Sequence, residues 1–166
     1  MELTLIPWSE HDLHVLERAN SSDMTRFLGG VESDEDLAAR HALYLSFAEA
    51  GGGRMFRVEV DGASAGYAGW WDEVHEGMPV FEVGCAVGPA WQGRGVATEA
   101  LRRLVDLAQA SDPRPIVGYA AVANAASNAL CLRAGFELRG TGAFPLDDGD
   151  FEVNIWMIDP RPTPWT

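Results

Sequence analysis

Phe56, Val58 and Val60 alternate with Arg57 and Glu59, the two-residue period of a strand with one face in a core. Asp61-Gly62 follows as a tight-turn signal, and a partner strand is predicted from Ser64 to Trp71. A loop through Asp72 to Pro79 then leads to a third strand, Val80 to Val87. Beyond Gly95 the period lengthens. Val96, Ala100, Leu101, Leu104, Val105 and Ala108 share one face of a predicted helix, which Asp112-Pro113 breaks. Upstream, a short strand at Leu3 to Ile6 precedes two helices. Ser9 and Asp12 are spaced like a capping box and open the first, which runs to about Ala19. Ser33 with Asp34, Glu35 and Asp36 opens the second, since carboxylates suit the positive end of a helix dipole. It carries Leu37, His41, Tyr44, Leu45 and Ala48 on one face and stops at Gly51-Gly52-Gly53. Downstream, Ile116 to Val122 reads as a buried strand and Asn124 to Ala134 as a short helix ended by Gly135. Phe136 to Arg139 and Phe151 to Ile158 read as two last strands, joined by an acidic turn at Asp147-Asp148-Gly149-Asp150.

This order predicts an α/β fold, a mixed sheet with helices on its faces. The chain has 166 residues, which suits one domain over 1–159 followed by a proline-rich tail over 160–166. Its 47% apolar and 22% charged residues are those of an ordinary globular protein. The net charge of −13 argues against nucleic acid and against anionic lipid, both of which demand a basic footprint. An acidic field favours cationic partners such as amines, and equally serves solubility. All basic residues besides histidine are arginine; there is no lysine. Cys85 and Cys131 are too few for a disulfide framework and sit in apolar surroundings, as reduced thiols do. No basic segment followed by an apolar one opens the chain, and no apolar run approaches the roughly 20 residues of a membrane helix, so the cytoplasm is expected.

The segment that carries chemistry lies between a buried-looking strand and an amphipathic helix: Gln92-Gly93-Arg94-Gly95-Val96-Ala97-Thr98. Helix N-termini leave backbone N–H groups unsatisfied and carry partial positive charge, so they bind phosphate. Glycines at 93 and 95 let a pyrophosphate approach the backbone, Arg94 adds a fixed cation, and Gln92 can orient the loop or donate to a phosphate oxygen. A Walker loop would need a lysine, and a dinucleotide fingerprint a third glycine where Thr98 stands. Gln92-x-x-Gly95-x-Ala97 instead resembles the phosphate-binding signature of the GNAT family of N-acetyltransferases. The later Asn124-x-x-Ser127-Asn128-x-x-Cys131-x-x-x-Gly135-Phe136 resembles the family's second motif, and the order of elements is similar over nearly the whole chain.

The resemblance implies a mostly antiparallel central sheet flanked by helices and splayed between the fourth and fifth strands, with acetyl-CoA in the wedge and no metal. Backbone groups at Cys85, Ala86 and Val87 would pair with the pantetheine arm. Gly93, Arg94, Gly95, Val96 and Ala97 would hold the pyrophosphate, with Gln92 and Thr98 beside them. Asn124 and Ser127 would contact the pantetheine or phosphate side. The implied reaction is direct attack of an amine on the thioester, the oxyanion being met by a backbone N–H near Val87. Glu82 is the candidate base: a carboxylate in the apolar run Val80-Phe81-Glu82-Val83 is costly without a task or partner, and burial raises its pKa. Many relatives carry a glutamate on this strand. An ion pair with an arginine is the competing role. Cys131 stands where many relatives have a tyrosine acid, and a thiol of pKa about 8.5 can protonate a leaving thiolate. A small core thiol is its other reading.

Trp70, Trp71, Trp91 and His75 are candidates for the acceptor pocket, as are Asn154 and Trp156 by position. The acidic clusters Asp72-Glu73-His75-Glu76 and Asp147-Asp148-Asp150-Glu152 could attract a cation or be solvated turns. No histidine has metal-ligand spacing. The acceptor classes left open are a polyamine, an amino acid, an amino sugar or a protein N-terminus. The other functional classes left open are a non-catalytic acyl-CoA sensor and an O-acyltransferase. A homodimer through the last strands or the tryptophan-bearing tail is a further expectation.

Overall fold

A computed structural model describes residues 1–146 and 149–161. Seven strands form one sheet in the order β1-β2-β3-β4-β5-β7-β6: β1 Leu3–Pro7, β2 Gly53–Val60, β3 Ala63–His75, β4 Met78–Val87, β5 Ile116–Ala121, β6 Glu137–Leu146 and β7 Gly149–Ile158. Every neighbouring pair is antiparallel except β4 and β5, which run parallel. The helices are α1 Leu13–Ala19, α2 Ser22–Thr25, α3 Asp34–Ala50, α4 Val96–Ser111 and α5 Ala125–Arg133. This is the mixed sheet that the residue pattern predicts, mostly antiparallel as the resemblance implies. Among the described residues no helix is long and apolar enough to cross a membrane.

Two-residue alternation places side chains on two faces of the sheet. One face meets α4 and α5: Phe56, Val58, Val60, Trp70 and Phe81 pack there against Val96, Leu101, Leu104 and Phe136. Every residue assigned to the apolar face of α4 from its period is buried. The other face meets α1 and α3, where Val15, Leu16, Leu37 and Tyr44 pack on Trp8, Met55 and Tyr67. The far end of this second face carries only a small cluster of Val80, Val117 and Met157, flanked by Tyr119 and Ile155.

Four local expectations are corrected. Asp12, not Ser9, stands at the N-cap of α1, and its carboxylate accepts from the backbone N–H and hydroxyl of Ser9 at 2.9 and 3.2 Å instead of from the helix. Arg57 on β2 pairs with the same carboxylate at 3.1 Å, so a tertiary ion pair fixes this corner. The one-turn helix α2 was not foreseen, although Ser21 caps it by accepting from Met24 N. The segment expected as a loop through Asp72 to Pro79 is a β-hairpin: β3 and β4 stay paired from Asp72↔Phe81 to His75↔Met78, and Glu76-Gly77 turns at φ 50° and 75°. Strand pairing there overrides a run of charged residues that reads as loop. Finally, β6 continues to Leu146, well past Arg139. Ser33 caps α3 as expected, accepting from Asp36 N at 3.1 Å. Asp147 and Asp148 of the acidic turn and residues 162–166 of the tail lie outside the described residues.

Candidate active site

The parallel β4–β5 pair is short. It registers only Phe81↔Ile116 and Glu82↔Val117, after which the strands part. Phe81 N donates to Pro115 O at 2.9 Å across this seam. Counting in twos along β4, the backbone groups of Val83, Cys85 and Val87 point to the same edge, while Ala86 and Gly88 point to β3, as Gly88 N bonded to Ala65 O confirms. Beyond the last pair the edge of Cys85 and Val87 therefore faces a gap, where an extended amide chain can add as a strand. Gln92 reaches back to close one corner, its Nε2 donating to Val87 O at 3.0 Å. Of the two roles open to Gln92, orienting the loop is the one observed.

The gap continues into a cleft of about 740 Å³. Its lining brings together Cys85, Ala86, Val87, Gln92, Gly93, Gly95, Val96, Ala97, Thr98, Asn124 and Ser127, every residue expected to hold the cofactor except Arg94. Gly93 and Gly95 adopt φ of 73° and 78°, and a Cβ at either would meet open space. The glycines are thus required by backbone conformation, which turns the loop so that α4 opens on the cleft. Gly95 is the N-cap and offers no side-chain cap, leaving the N–H groups of the first turn for a ligand. Arg94 lies over the Trp91 ring, 5.1 Å from its centroid. On the facing helix, Asn124 caps α5, accepting from Ser127 N at 3.2 Å and donating to Ser127 Oγ at 2.9 Å. Arg133, not foreseen from the sequence, also lines the cleft, its Nε 3.5 Å from Thr98 Oγ1; Arg102 bonds to its carbonyl at 2.7 Å.

Charge follows the same division. Arg40, Arg57, Arg103, Arg114, Arg139 and Arg161 each pair with a carboxylate. Arg26 and Arg133 in the cleft lining and Arg94 on the loop beside it pair with none among the described residues, as do Arg18, Arg54 and Arg102. A protein of net charge −13 thus keeps unpaired cations along a cleft suited to a polyanion.

A second cavity of about 290 Å³ shares Phe27, Leu28, Cys85, Ala86, Asn124 and Ser127 with the cleft and extends over the other face of the sheet. Glu82 and Cys131 both stand on its wall. Burial, with Glu73 nearby, raises the Glu82 carboxyl from 4.5 to about 7, the Trp71 side chain pulling the other way. Among the described residues no arginine pairs with Glu82. Burial pushes the Cys131 thiol up to about 11, and burial together with Cys131 pushes Cys85 up to about 12. Cys131 packs in the main core, and its sulfur would lie 3.8 Å from a Cβ at Gly118. Tyr119, on the cavity wall, is another residue the sequence reading missed. Its hydroxyl lies 3.3 Å from His75 Nδ1, and burial plus the neighbouring Glu82 and Glu73 raise its pKa. Trp71 lines the cavity and Trp91 the cleft, whereas Trp70 belongs to the core.

Asn154 and Trp156 do not face the acceptor side. Both donate to Asn128 Oδ1, at 2.8 and 2.9 Å, on the α5 side of the sheet. Asn128 Nδ2 in turn donates to Ala121 O and Asn124 O at 3.0 and 2.8 Å, so one amide ties α5 to β5 and β7. Asn128→Ala leaves these groups without partners and is expected to destabilise the fold by roughly 2–4 kcal/mol. Urea unfolding checks this as a lower midpoint at unchanged slope.

Comparison with known proteins decides the family. The profile of the acetyltransferase (GNAT) domain matches residues 2–137. The chain belongs to the GNAT acetyltransferase family. Solved structures with the same fold include the acetyltransferase yncA of Salmonella typhimurium with its cofactor acetyl-CoA (TM-score 0.79, 22% identity, 98% of this chain and 96% of that one). A spermidine N-acetyltransferase of Vibrio cholerae, in complex with CoA and spermine, superposes with TM-score 0.77 at 22% identity, covering 95% of each chain. The aminoglycoside acetyltransferase AAC(6')-Ib, in complex with coenzyme A, gives 0.75 at 23%, again over 95% of each. No curated protein sequence matches. Acetyl-CoA is the family's acyl donor, and the chain's open strand edge, uncapped helix and unpaired arginines fit its amide arm and its phosphates.

Proposed function

We propose that this protein is an N-acetyltransferase that moves the acetyl group of acetyl-CoA to a primary amine by direct attack. The observation that carries this reading is the meeting of the two cavities at the splay: the free β4 edge at Cys85 and Val87 lies on one side, and Glu82 on the other. The pantetheine amides pair with that edge, and the pyrophosphate rests on the α4 N-terminus with Arg94, while Asn124 and Ser127 border the arm. The ammonium of the acceptor gives a proton to Glu82, directly or through water. The neutral amine then attacks the thioester carbon, whose oxygen is met by a backbone N–H of the β4 edge. The new C–N bond forms, the C–S bond breaks, and the second amine proton passes to the coenzyme A thiolate. Two neighbours of similar fold are named for polyamine and aminoglycoside acetylation, which agrees with amine chemistry.

Thiol release from acetyl-CoA, with mass-spectrometric detection of the acetylated product, tests this on matched panels of amines and alcohols. Product from amines supports the reading. Product from alcohols alone replaces it with O-acylation, and acetyl-CoA binding without product replaces it with a sensor.

Cys131 is the second catalytic candidate. Its proton is held at about 11, more tightly than an ordinary thiolate near ~8.5 would take it. Cys131→Ala is therefore expected to lose less than about threefold in kcat, and Cys131→Ser to behave alike. A tenfold loss in the alanine variant that serine restores would make Cys131 the acid.

A further inference from the structure

The cavity beyond Glu82 has a chemistry of its own. Arg40 on α3 donates from Nη1 to the hydroxyls of Tyr44 and Tyr67, at 3.2 and 3.3 Å, while its Nη2 meets Glu32 at 2.7 Å. All three of Arg40, Tyr44 and Tyr67 line the cavity, and the two tyrosines are only 8% and 7% exposed. A phenol has one hydrogen to give. Each of these phenols accepts from Arg40, and neither hydrogen finds an acceptor among the described residues. Two buried O–H donors, polarised by a guanidinium, thus stand on the cavity wall without a protein acceptor among the described residues.

Charge on the wall points the same way. Among the described lining residues Glu82 is the one carboxylate and Arg40 the one cation. A polyamine or an aminoglycoside would need several carboxylates, and the described wall offers one, Arg40 being already paired with Glu32. Between the two poles the wall is apolar, with Trp71, Tyr119, Phe144 and Phe151. Tyr67 pairs with Ala86 and Trp71 with Glu82, four residues apart, which is about 13 Å along the strands. The indole of Trp71 covers Gly84 between them, so a nitrogen bound at the Tyr67 end reaches Glu82 through water.

We infer that the acceptor is a small amine bearing a carboxylate, an amino acid with an apolar or aromatic body, its ammonium turned toward Glu82 and its carboxylate to the Tyr44 and Tyr67 hydroxyls that Arg40 polarises. The inference rests on the N-acetyltransferase reading above and narrows it.

Kinetics at saturating acetyl-CoA test it with pairs that differ only in the carboxylate: L-phenylalanine and phenethylamine, L-leucine and 3-methylbutylamine, 4-aminobutyrate and propylamine, with spermidine alongside. The expected result is a kcat/KM at least about tenfold higher for the best amino acid than for its partner or spermidine. Tyr44→Phe with Tyr67→Phe keeps both rings in the core and removes both donors. It is expected to raise KM for that amino acid about 10- to 100-fold, so that its advantage over the decarboxylated partner disappears. A wild type that prefers the plain amine or spermidine overturns the inference and leaves amine acetylation standing. So does a double variant that loses both partners in equal proportion. Acetyl-CoA binding without turnover of any amine overturns both readings.

Discussion

Arg94→Glu combined with Gly95→Asp is expected to weaken acetyl-CoA binding at least about 100-fold in calorimetric titration, while the protein remains folded. Two losses add up. Each charge-assisted hydrogen bond to a phosphate contributes roughly 1.5–3 kcal/mol, and the reversal also sets two carboxylates against a polyanion. The second site does more than add charge: Gly95 is the uncapped N-cap of α4, and an aspartate there sets a carboxylate beside the N–H groups a phosphate would use. Folding is spared because both positions are exposed and a Cβ at Gly95 meets open space. The φ of 78° does strain a non-glycine residue, and aspartate is among the side chains that tolerate this region best. An unchanged dissociation constant would move the phosphate site off this loop. Binding in the wild type that also fails would remove acetyl-CoA as the ligand of the cleft.

The residues that line the cleft were legible as a set because they are local. Gln92 to Thr98 are consecutive, and a helix start with two glycines has few uses other than holding an anion. Asn124 and Ser127 are likewise near neighbours. The second cavity was not legible because it is assembled across the chain. Arg40 and Tyr44 lie one turn apart on α3, Tyr67 comes from β3 and Tyr119 from β5, and only the splay of β4 from β5 opens a space among them. No period marks them as a set. Tyr44 read as core, as it partly is, and Tyr119 as one residue of a buried strand. Asn154 and Trp156 show the opposite error. Their position suggested the acceptor side, yet strand parity sends them to Asn128, and parity cannot be assigned to a face until the partner of that face is known. The hairpin through Asp72 to Pro79 failed for a similar reason: its charged residues lie on a two-stranded extension beyond the packed sheet, where alternation carries no apolar signal.

Glu82→Gln is expected to lower kcat/KM by about 10²- to 10⁴-fold, the usual contribution of a positioned base, and to remove a rise in rate with pH centred near 7. The sign follows from the cause. Burial disfavours the charged carboxylate and raises its pKa, so below pH 7 the group is mostly protonated and cannot take the proton of the incoming ammonium. Wild-type kcat/KM should therefore climb about tenfold per pH unit below 7 and level above it, until the amine itself sheds its proton. The same burial makes a second, independent prediction. The folded protein binds this proton more tightly than the unfolded chain, so Glu82 opposes folding increasingly as pH rises from 4.5 through about 7. Glu82→Gln keeps the shape and removes the charge, and it is expected to be more stable than the wild type at pH 8 but not at pH 4. A variant both slower and more stable at pH 8 identifies a carboxylate kept for its chemistry. A variant equally active, or one destabilised at pH 8, would mean that the carboxylate holds structure together and that the base lies elsewhere. Among the described residues no arginine pairs with Glu82, whereas Asp12, buried on the same protein, is bound by Arg57 at 3.1 Å; only the unpaired one faces the cavity where an amine would bind.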